Sequence, residues 1–213
     1  DGGTEGLRAG IFDVFGTPLA FASTSYPTQF PAPSWAEQDP NDWWDALGKS
    51  VRKAISDSGI SVDQIAAMAV DTTCCSVVPL DDSGNPVRPA LIWMDVRSAE
   101  QAEEVVKTGD AALRVNSNGN GPVSAEWMIP KALWIKQNEP ELFERAATVC
   151  EYQDYLTIVS NTDCRMAEAF TTPEIGGDHF RSTATFLTQA HVKQTEGSDV
   201  YVGTSFDQLF AQR

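Results

Sequence analysis

Six residues at the start of the chain combine a carboxylate, a hydroxyl and three glycines: Asp1-Gly2-Gly3-Thr4-Glu5-Gly6. Glycines allow a backbone to approach a polyphosphate closely, and a threonine hydroxyl with nearby amides can donate to phosphate oxygens. An aspartate just before such a turn can hold Mg²⁺, directly or through water. No helix follows, so the stretch is not a G-x-x-x-x-G-K-[ST] loop. By itself it is either a phosphate-binding turn or only a tight turn.

Three further stretches place hydroxyl, carboxylate, guanidinium or aromatic groups beside predicted strands and helices: Asp71-Thr72-Thr73-Cys74-Cys75-Ser76, Trp93-Met94-Asp95-Val96-Arg97 and Ser124-Ala125-Glu126-Trp127-Met128. A tryptophan face can pack on a sugar ring while carboxylate and guanidinium groups hydrogen-bond its hydroxyls. Each stretch also has a structural interpretation. The first fits a polar turn, the second an Asp95–Arg97 pair that caps the next helix, and the third a capped helix start.

The cysteines and histidines predict no metal site and no acid–base pair. Cys74 and Cys75 are adjacent, so they cannot bind a metal as a C-x-x-C pair does, and neither has a histidine nearby. Together with Cys150 and Cys164 they are expected to be reduced thiols of an intracellular protein. His179 and His191 lack an acidic or serine partner at a meaningful spacing, and we assign them no catalytic role.

The pattern of apolar residues predicts a hairpin followed by alternating helices and strands. Strands are expected at 7–14 and 19–26, and a helix at 40–58 with Asp39 as N-cap, Pro40 at the first position and Gly59 at its end. Later strands are expected at 67–70, 77–80, 90–94 and 147–150, and helices at 97–107, 125–138 and 140–146. A polar, glycine-rich loop is expected at 116–121. This order indicates a mixed α/β domain.

Composition limits the classes of partner. The net charge of −15 argues against nucleic acid, which needs clustered lysine and arginine. No stretch reaches the roughly 18 apolar residues of a membrane span, and residues 1–10 are too polar for a signal peptide. We therefore expect an intracellular protein, in the cytoplasm or a plastid. Since the chain starts with Asp, we expect processing or an incomplete coding sequence.

Four segments in this order resemble the N-terminal domain of the FGGY carbohydrate kinases: Asp1-Gly2-Gly3-Thr4 with Arg8, Trp35 to Pro40 with Asp42-Trp43-Trp44, Arg88-Pro89-Ala90 with Trp93-Met94-Asp95-Val96-Arg97, and Pro130-Lys131-Ala132-Leu133-Trp134. Each segment is weak evidence, but the joint pattern over about residues 1–157 is specific. Asp71-x-Thr73-Cys74 and Ser124-x-Glu126 resemble the D-ribulokinase-like, pentulose kinase branch. That branch usually has Thr-Cys-Ser where this chain has Thr73-Cys74-Cys75.

The resemblance implies an actin/hexokinase-like (ribonuclease H-like) N-terminal lobe, with a mixed sheet and flanking helices. It implies magnesium-dependent transfer of phosphate from ATP to a primary hydroxyl of a ketopentose such as D-ribulose or D-xylulose. Asp1 would help to organise Mg²⁺, and Gly3 and Thr4 would lie near the transferred phosphate. The residues implied to line the sugar pocket are Thr73, Cys74, Trp93, Asp95, Arg97 and Glu126.

The chain departs from the family pattern in its second part. Residues 1–157 are expected to form the kinase lobe and 158–213 a divergent extension, because Ile158-Val159-Ser160-Asn161-Thr162 stands where a Leu-Thr-Gly turn is expected. The catalytic aspartate and the adenosine-binding lobe are not recognisable, so we expect no turnover by this chain alone. A protein partner is expected to cover the exposed cleft face. The alternative function is an inactive kinase-like subunit or scaffold of a larger assembly.

Overall fold

The computed structural model describes residues 1–113 and 123–160, which belong to the first of two units, Asp1–Thr162 and Asp163–Arg213. The extension at 158–213, the loop at 116–121, both histidines and Cys164 fall wholly or largely outside the described residues. Strand β1 (Gly6–Phe12) and strand β2 (Pro18–Ser25) form an antiparallel hairpin, as predicted. Asp13 closes its turn, because its side chain accepts hydrogen bonds from the amides of Phe15 and Thr17.

Helix α1 (Pro40–Ser58) packs against both strands of the hairpin. Its predicted ends are confirmed. Asp39 accepts a hydrogen bond from the Asn41 amide at 2.9 Å, and Gly59 ends the helix in the left-handed conformation with φ 73°. The buried face of α1 includes Ser50, whose hydroxyl donates to the Leu7 carbonyl at 3.2 Å and lies 2.9 Å from the Thr24 hydroxyl. The helix is therefore fixed to the hairpin by polar as well as apolar contacts.

The remaining elements follow in chain order. The strands are β3 (Glu37–Gln38), β4 (Val78–Leu80), β5 (Ala90–Leu91) and β6 (Thr148–Cys150), and the helices are α2 (Ala99–Lys107), α3 (Met128–Asn138), α4 (Pro140–Arg145) and α5 (Tyr152–Ser160). A 3-10 turn covers Val62–Gln64. β3 pairs with β5 and β4 with β6, both antiparallel. Gly2 bridges Leu7 in antiparallel and Thr72 in parallel orientation, so the strand pairing is mixed.

The core lies between the hairpin, α1 and the N-terminal half of α5. Trp43 is fully buried and stacks on Tyr152 with ring centroids 3.8 Å apart, while Tyr155 meets the same indole edge-on. A second cluster joins Val77, Leu91 and Ile135. No helix among the described residues is both long and apolar enough to cross a bilayer. Aromatic stacking thus connects the start of the chain with the last described helix.

One predicted strand is absent and another is shorter than predicted. No strand forms at 67–70: residues 67–69 are exposed, and the backbone hydrogen bonds that Gly2 makes with this segment begin only at Asp71. The strand predicted at 90–94 ends at Leu91. The Ile92 carbonyl accepts a hydrogen bond from the Asp95 amide at 2.9 Å and closes a turn with Trp93 and Met94 at its centre.

Replacement of Trp43 tests whether this stacking holds the lobe together. Trp43→Ala should lower the free energy of unfolding by about 3–5 kcal/mol, as expected when a fully buried aromatic side chain is removed. The matched control is Trp44→Ala, which should lose clearly less because Trp44 keeps 38% of its surface exposed. Urea unfolding followed by circular dichroism measures both losses. Equal losses would contradict a core centred on Trp43.

Candidate functional site

The glycine turn at the start of the chain docks onto the segment that precedes β4. The Gly2 amide donates to the Asp71 carbonyl at 2.7 Å, and the Thr73 amide donates to the Gly2 carbonyl at 2.9 Å. A Cβ at position 2 would lie 2.7 Å from the Tyr152 ring, which only glycine avoids. Gly3 closes the turn itself, since its amide donates to the Gly6 carbonyl at 3.0 Å. The turn and Thr73 are therefore neighbours.

Thr4 connects this turn to Trp93. The indole Nε1 of Trp93 donates to Thr4 Oγ1 at 2.9 Å, and the Thr4 carbonyl accepts from Gln38 Nε2 at 2.7 Å. Gln38 is fixed in turn, because its Oε1 accepts from the indole of Trp43 at 2.8 Å. Trp93 remains 39% exposed. An exposed indole face thus lies directly beside the hydroxyl of the glycine turn.

Two buried tyrosines support the turn from below. The Tyr26 hydroxyl donates to the Gly3 carbonyl and lies 3.0 Å from the Tyr152 hydroxyl. Burial raises the pKa of both phenols, and at Tyr152 the hydrogen bond with Tyr26 raises it further. Both groups therefore stay neutral and act as hydrogen-bonding supports of the backbone.

Asp1 is exposed, and its carboxylate forms a 2.6 Å ion pair with Arg8. Among the described residues, no group of three or more His, Cys, Asp or Glu side chains is arranged to hold a metal ion. Mg²⁺ is commonly held by one or two carboxylates together with substrate phosphates and water. At Asp1 the described structure offers one carboxylate, which is paired with Arg8, and the role of Asp1 towards Mg²⁺ stays a prediction.

Asp95 and Arg97 form a buried pair behind Trp93. Asp95 is fully buried, and its Oδ2 accepts from the Ala36 amide at 2.7 Å and from Arg97 Nη2 at 2.6 Å. Only 1% of the Arg97 side chain is exposed. The pair does not cap α2, whose N-cap is Ser98. The observed contacts of both side chains are structural, and their contact with a sugar stays a prediction.

Arg97 also joins three other segments. Its Nη2 lies 2.7 Å from Glu37, which pairs with Arg88 as well. The guanidinium carbon sits 3.7 Å from the centroid of the Trp35 ring and 4.9 Å from that of Trp134. Arg97 Nη1 has no hydrogen-bond partner within residues 1–113 and 123–160, and stacking on the Trp35 ring partly compensates for its burial.

Cys74 and Cys75 are half-buried free thiols whose sulfur atoms lie 3.8 Å apart. Cys75 adopts a left-handed backbone with φ 63°, which is uncommon for residues other than glycine. Its amide donates to Glu151 Oε2 at 2.8 Å. Burial, with the neighbouring Cys74, raises the pKa of the Cys75 thiol to about 12, so this thiol stays protonated and is a poor nucleophile.

Lys131 also belongs to this region, and the sequence did not predict a role for it. It is fully buried, and its ammonium donates to the carbonyls of Cys75 and Ile92. Burial lowers the pKa of Lys131 to about 8, against the opposing effect of Asp95, Cys75, Glu126 and Glu151. A usable signal was present in the sequence. Lys131 lies four residues from both Trp127 and Ile135, on the apolar side of a predicted helix.

The structure thus brings together Gly3, Thr4, Thr73 and Trp93 by direct hydrogen bonds of the turn. Glu126 is half-buried, hydrogen-bonds locally to Ser124, and lies close enough to Lys131 to raise its pKa. Cys74 belongs to the same segment as Thr73. Asp95 and Arg97 are buried behind Trp93. The ligand roles of these side chains stay predictions.

Residues 1–174 match the model of the N-terminal domain of the FGGY family of carbohydrate kinases. The chain belongs to this family. A xylulose kinase of Streptomyces coelicolor is 36% identical over 158 residues, which cover 74% of this chain and 32% of that protein. A glycerol kinase of Thermococcus onnurineus is 33% identical over 146 residues, which cover 68% of this chain and 29% of that protein. The chain therefore spans about a third of the length of these relatives.

Solved structures of other sugar kinases contain the same lobe. The xylulose kinase of Rhodospirillum rubrum aligns with a TM-score of 0.67 and 28% identity, over 74% of this chain and 32% of that one. A kinase of Brucella ovis, described as a xyloylose kinase, aligns with a TM-score of 0.69 and 26% identity, over 75% and 32%. The predicted actin-like N-terminal lobe of an FGGY sugar kinase is confirmed.

Asp95→Asn tests the structural contribution of the buried pair in this FGGY lobe. The variant removes one of the two carboxylates paired with the buried Arg97 and leaves Glu37 as the other, and the free energy of unfolding should fall by about 3–5 kcal/mol. The control is Asp57→Asn, which breaks the exposed pair with Lys53 and should cost at most about 1 kcal/mol. Chemical unfolding of both variants measures the difference. A loss at Asp95 no larger than that at Asp57 would contradict the structural role.

The lowered pKa of Lys131 predicts a pH dependence of stability. Its folded value of about 8 lies below the ordinary 10.5, so the unfolded chain binds more protons between these values. The contribution of Lys131 to the free energy of unfolding should therefore increase as pH rises from 8 to 10.5. Below pH 8 the penalty of burying the charge is fully present. Unfolding of wild type and Lys131→Met across this window isolates the effect. A constant difference between the two proteins would exclude it.

Proposed function

We propose that this chain forms the sugar- and phosphate-binding lobe of an ATP-dependent pentulose kinase. The observation that carries the proposal is the 2.9 Å hydrogen bond from the Trp93 indole to the Thr4 hydroxyl. It places a half-exposed aromatic face, suited to a sugar ring, next to a glycine turn, suited to phosphate. A phosphoryl-transfer enzyme needs these two binding functions side by side, because its catalysis depends mainly on positioning.

The Thr4 hydroxyl has the right hydrogen-bonding state for this role. A hydroxyl group donates one hydrogen and accepts through its oxygen. Since Oγ1 accepts from the indole of Trp93, its own hydrogen is available to donate to a phosphate oxygen of a bound nucleotide. The Gln38 contact to the Thr4 carbonyl holds the residue in place. Thr4 thus acts as an oriented donor, and Gly3 allows the phosphate to approach the backbone.

ATP and Mg²⁺ are the proposed cofactors. The glycerol kinase of Plasmodium falciparum, whose structure contains ADP, has the same fold at a TM-score of 0.60 and 18% identity. Asp1 would hold Mg²⁺ together with the nucleotide phosphates, and Mg²⁺ would neutralise charge on the phosphate that is transferred. The ion pair with Arg8 holds the Asp1 carboxylate beside the turn. The aspartate that accepts the hydroxyl proton is not assigned among the described residues.

A ketopentose is the proposed substrate class. Relatives described as xylulose kinases, one of them 36% identical, support a pentulose over glycerol as the substrate, although glycerol kinases match nearly as closely. D-Xylulose and D-ribulose differ at one hydroxyl, and Thr73, Cys74 and Glu126 are the side chains proposed to read this difference. Trp93 would pack on the carbon backbone of either sugar. The primary hydroxyl at the end of the sugar's carbon chain would point towards the glycine turn.

Titration calorimetry with D-xylulose, D-ribulose and glycerol tests the proposal on the purified chain. A pentulose should bind more tightly than glycerol, and Trp93→Ala should weaken pentulose binding by about tenfold, a loss of about 1.4 kcal/mol. Thr4→Val, which removes both the donor to phosphate and the acceptor of the Trp93 indole, should reduce ADP formation in a coupled assay of the kinase that contains this lobe, whereas Thr4→Ser should retain it. The valine keeps the volume of the threonine and loses only its hydroxyl.

The alternative function, an inactive scaffold, predicts the opposite outcome. No measurable heat with any of the three sugars, together with stable co-purification of another protein, would defeat the kinase proposal. Tighter binding of glycerol than of either pentulose would keep the kinase function and overturn the substrate class.

A further inference from the structure

The backbone of Cys75 is held from both sides by charged side chains. Its amide donates to the Glu151 carboxylate at 2.8 Å, and its carbonyl accepts from the Lys131 ammonium at 2.8 Å. Cys75 has φ 63°, a conformation that costs energy for a residue with a Cβ and persists only where surrounding contacts enforce it. These two hydrogen bonds are such contacts. They fix the turn that carries Thr73 and Cys74.

The same ammonium holds a second turn. Lys131 Nζ donates to the Ile92 carbonyl at 2.7 Å, and that carbonyl also accepts from the Asp95 amide at 2.9 Å. Trp93 and Met94 occupy the centre of the turn that this carbonyl opens. One buried cation therefore joins the segment of Cys74 to the segment of Trp93, and both segments belong to the proposed sugar pocket.

We propose that Lys131 is a positioning residue that sets the geometry of the sugar pocket by holding the Cys75 and Ile92 carbonyls together. This inference rests on the proposed function of the site. We call the three groups, Lys131 Nζ, Cys75 O and Ile92 O, the Lys131 clamp. Lys131 contacts no sugar itself, since it is fully buried. It acts through the relative position of Thr73, Cys74 and Trp93.

The chemistry of lysine suits this role. An ammonium presents three donors on a long apolar stem, so it can satisfy two carbonyls at once from inside a core. Loss of the donor leaves two buried carbonyls without this partner, and the left-handed Cys75 loses one of its two restraints. The two turns should then move apart or relax independently. Misplacement of binding groups by about 1 Å can cost up to about a hundredfold in activity.

The decisive variants are Lys131→Met, which keeps the stem and removes the donors, and Lys136→Met, an exposed control on the same helix. Lys131→Met should raise the pentulose dissociation constant by about tenfold or more and leave that of Mg·ATP within about twofold. Cys75→Gly in the Lys131→Met background should recover part of the lost sugar affinity, because glycine adopts positive φ without strain. Lys136→Met should bind like the wild type.

Hydrogen–deuterium exchange supplies a readout that needs no ligand. In Lys131→Met, exchange should increase in residues 71–80 and 90–97 together and remain unchanged in β2. If the wild-type chain binds no pentulose, the proposed function fails, while the exchange data still decide whether the clamp exists. Unchanged sugar affinity in Lys131→Met, or an equal loss of sugar and nucleotide binding with exchange raised throughout the lobe, would overturn the positioning role.

Discussion

Burial of the Arg97 guanidinium is the constraint on which the surface around Trp93, the proposed sugar site, depends. A buried cation must be paired, and here Asp95 and Glu37 supply the charge while the Trp35 ring covers one face. Satisfying Arg97 therefore brings together β3, the turn after β5 and the indole of Trp134 on α3. The shape of the turn that carries Trp93 is fixed because the Asp95 carboxylate pairs with Arg97 and accepts a hydrogen bond from the Ala36 amide.

The glycine turn is positioned by a second, independent set of contacts. The turn's backbone accepts hydrogen bonds from Tyr26 and Gln38, and Tyr152 contacts the Tyr26 hydroxyl. The core around Trp43 holds these side chains, since Trp43 bonds Gln38 and stacks on Tyr152. The phosphate side of the proposed site is thus tied to the hairpin and α5, and the sugar side to α3 and β5. The Trp93–Thr4 hydrogen bond links the two sides directly, as do the hydrogen bonds of Gly2 with Asp71 and Thr73.

Local sequence signals predicted the elements whose ends carry their own chemistry. Asp39, Pro40 and Gly59 marked α1 correctly, because caps and left-handed glycines act within a few residues. The strand predicted at 67–70 was wrong, since strand formation requires a pairing partner that the segment itself does not reveal. The sequence predicted which residues belong to the site and in which order they follow along the chain. It did not predict the geometry of the site, because the roles of Lys131 and Glu151 depend on contacts across 56 and 76 residues.

The left-handed conformation of Cys75 has a consequence for how this lobe can diverge. At position 75, glycine and to a lesser degree asparagine and aspartate adopt positive φ with the least strain. Position 74 has an ordinary negative φ and carries no such restriction. A bulky or β-branched residue at 75 should therefore strain the turn that carries Thr73 and Cys74, whereas an exchange at 74 should leave the backbone unchanged.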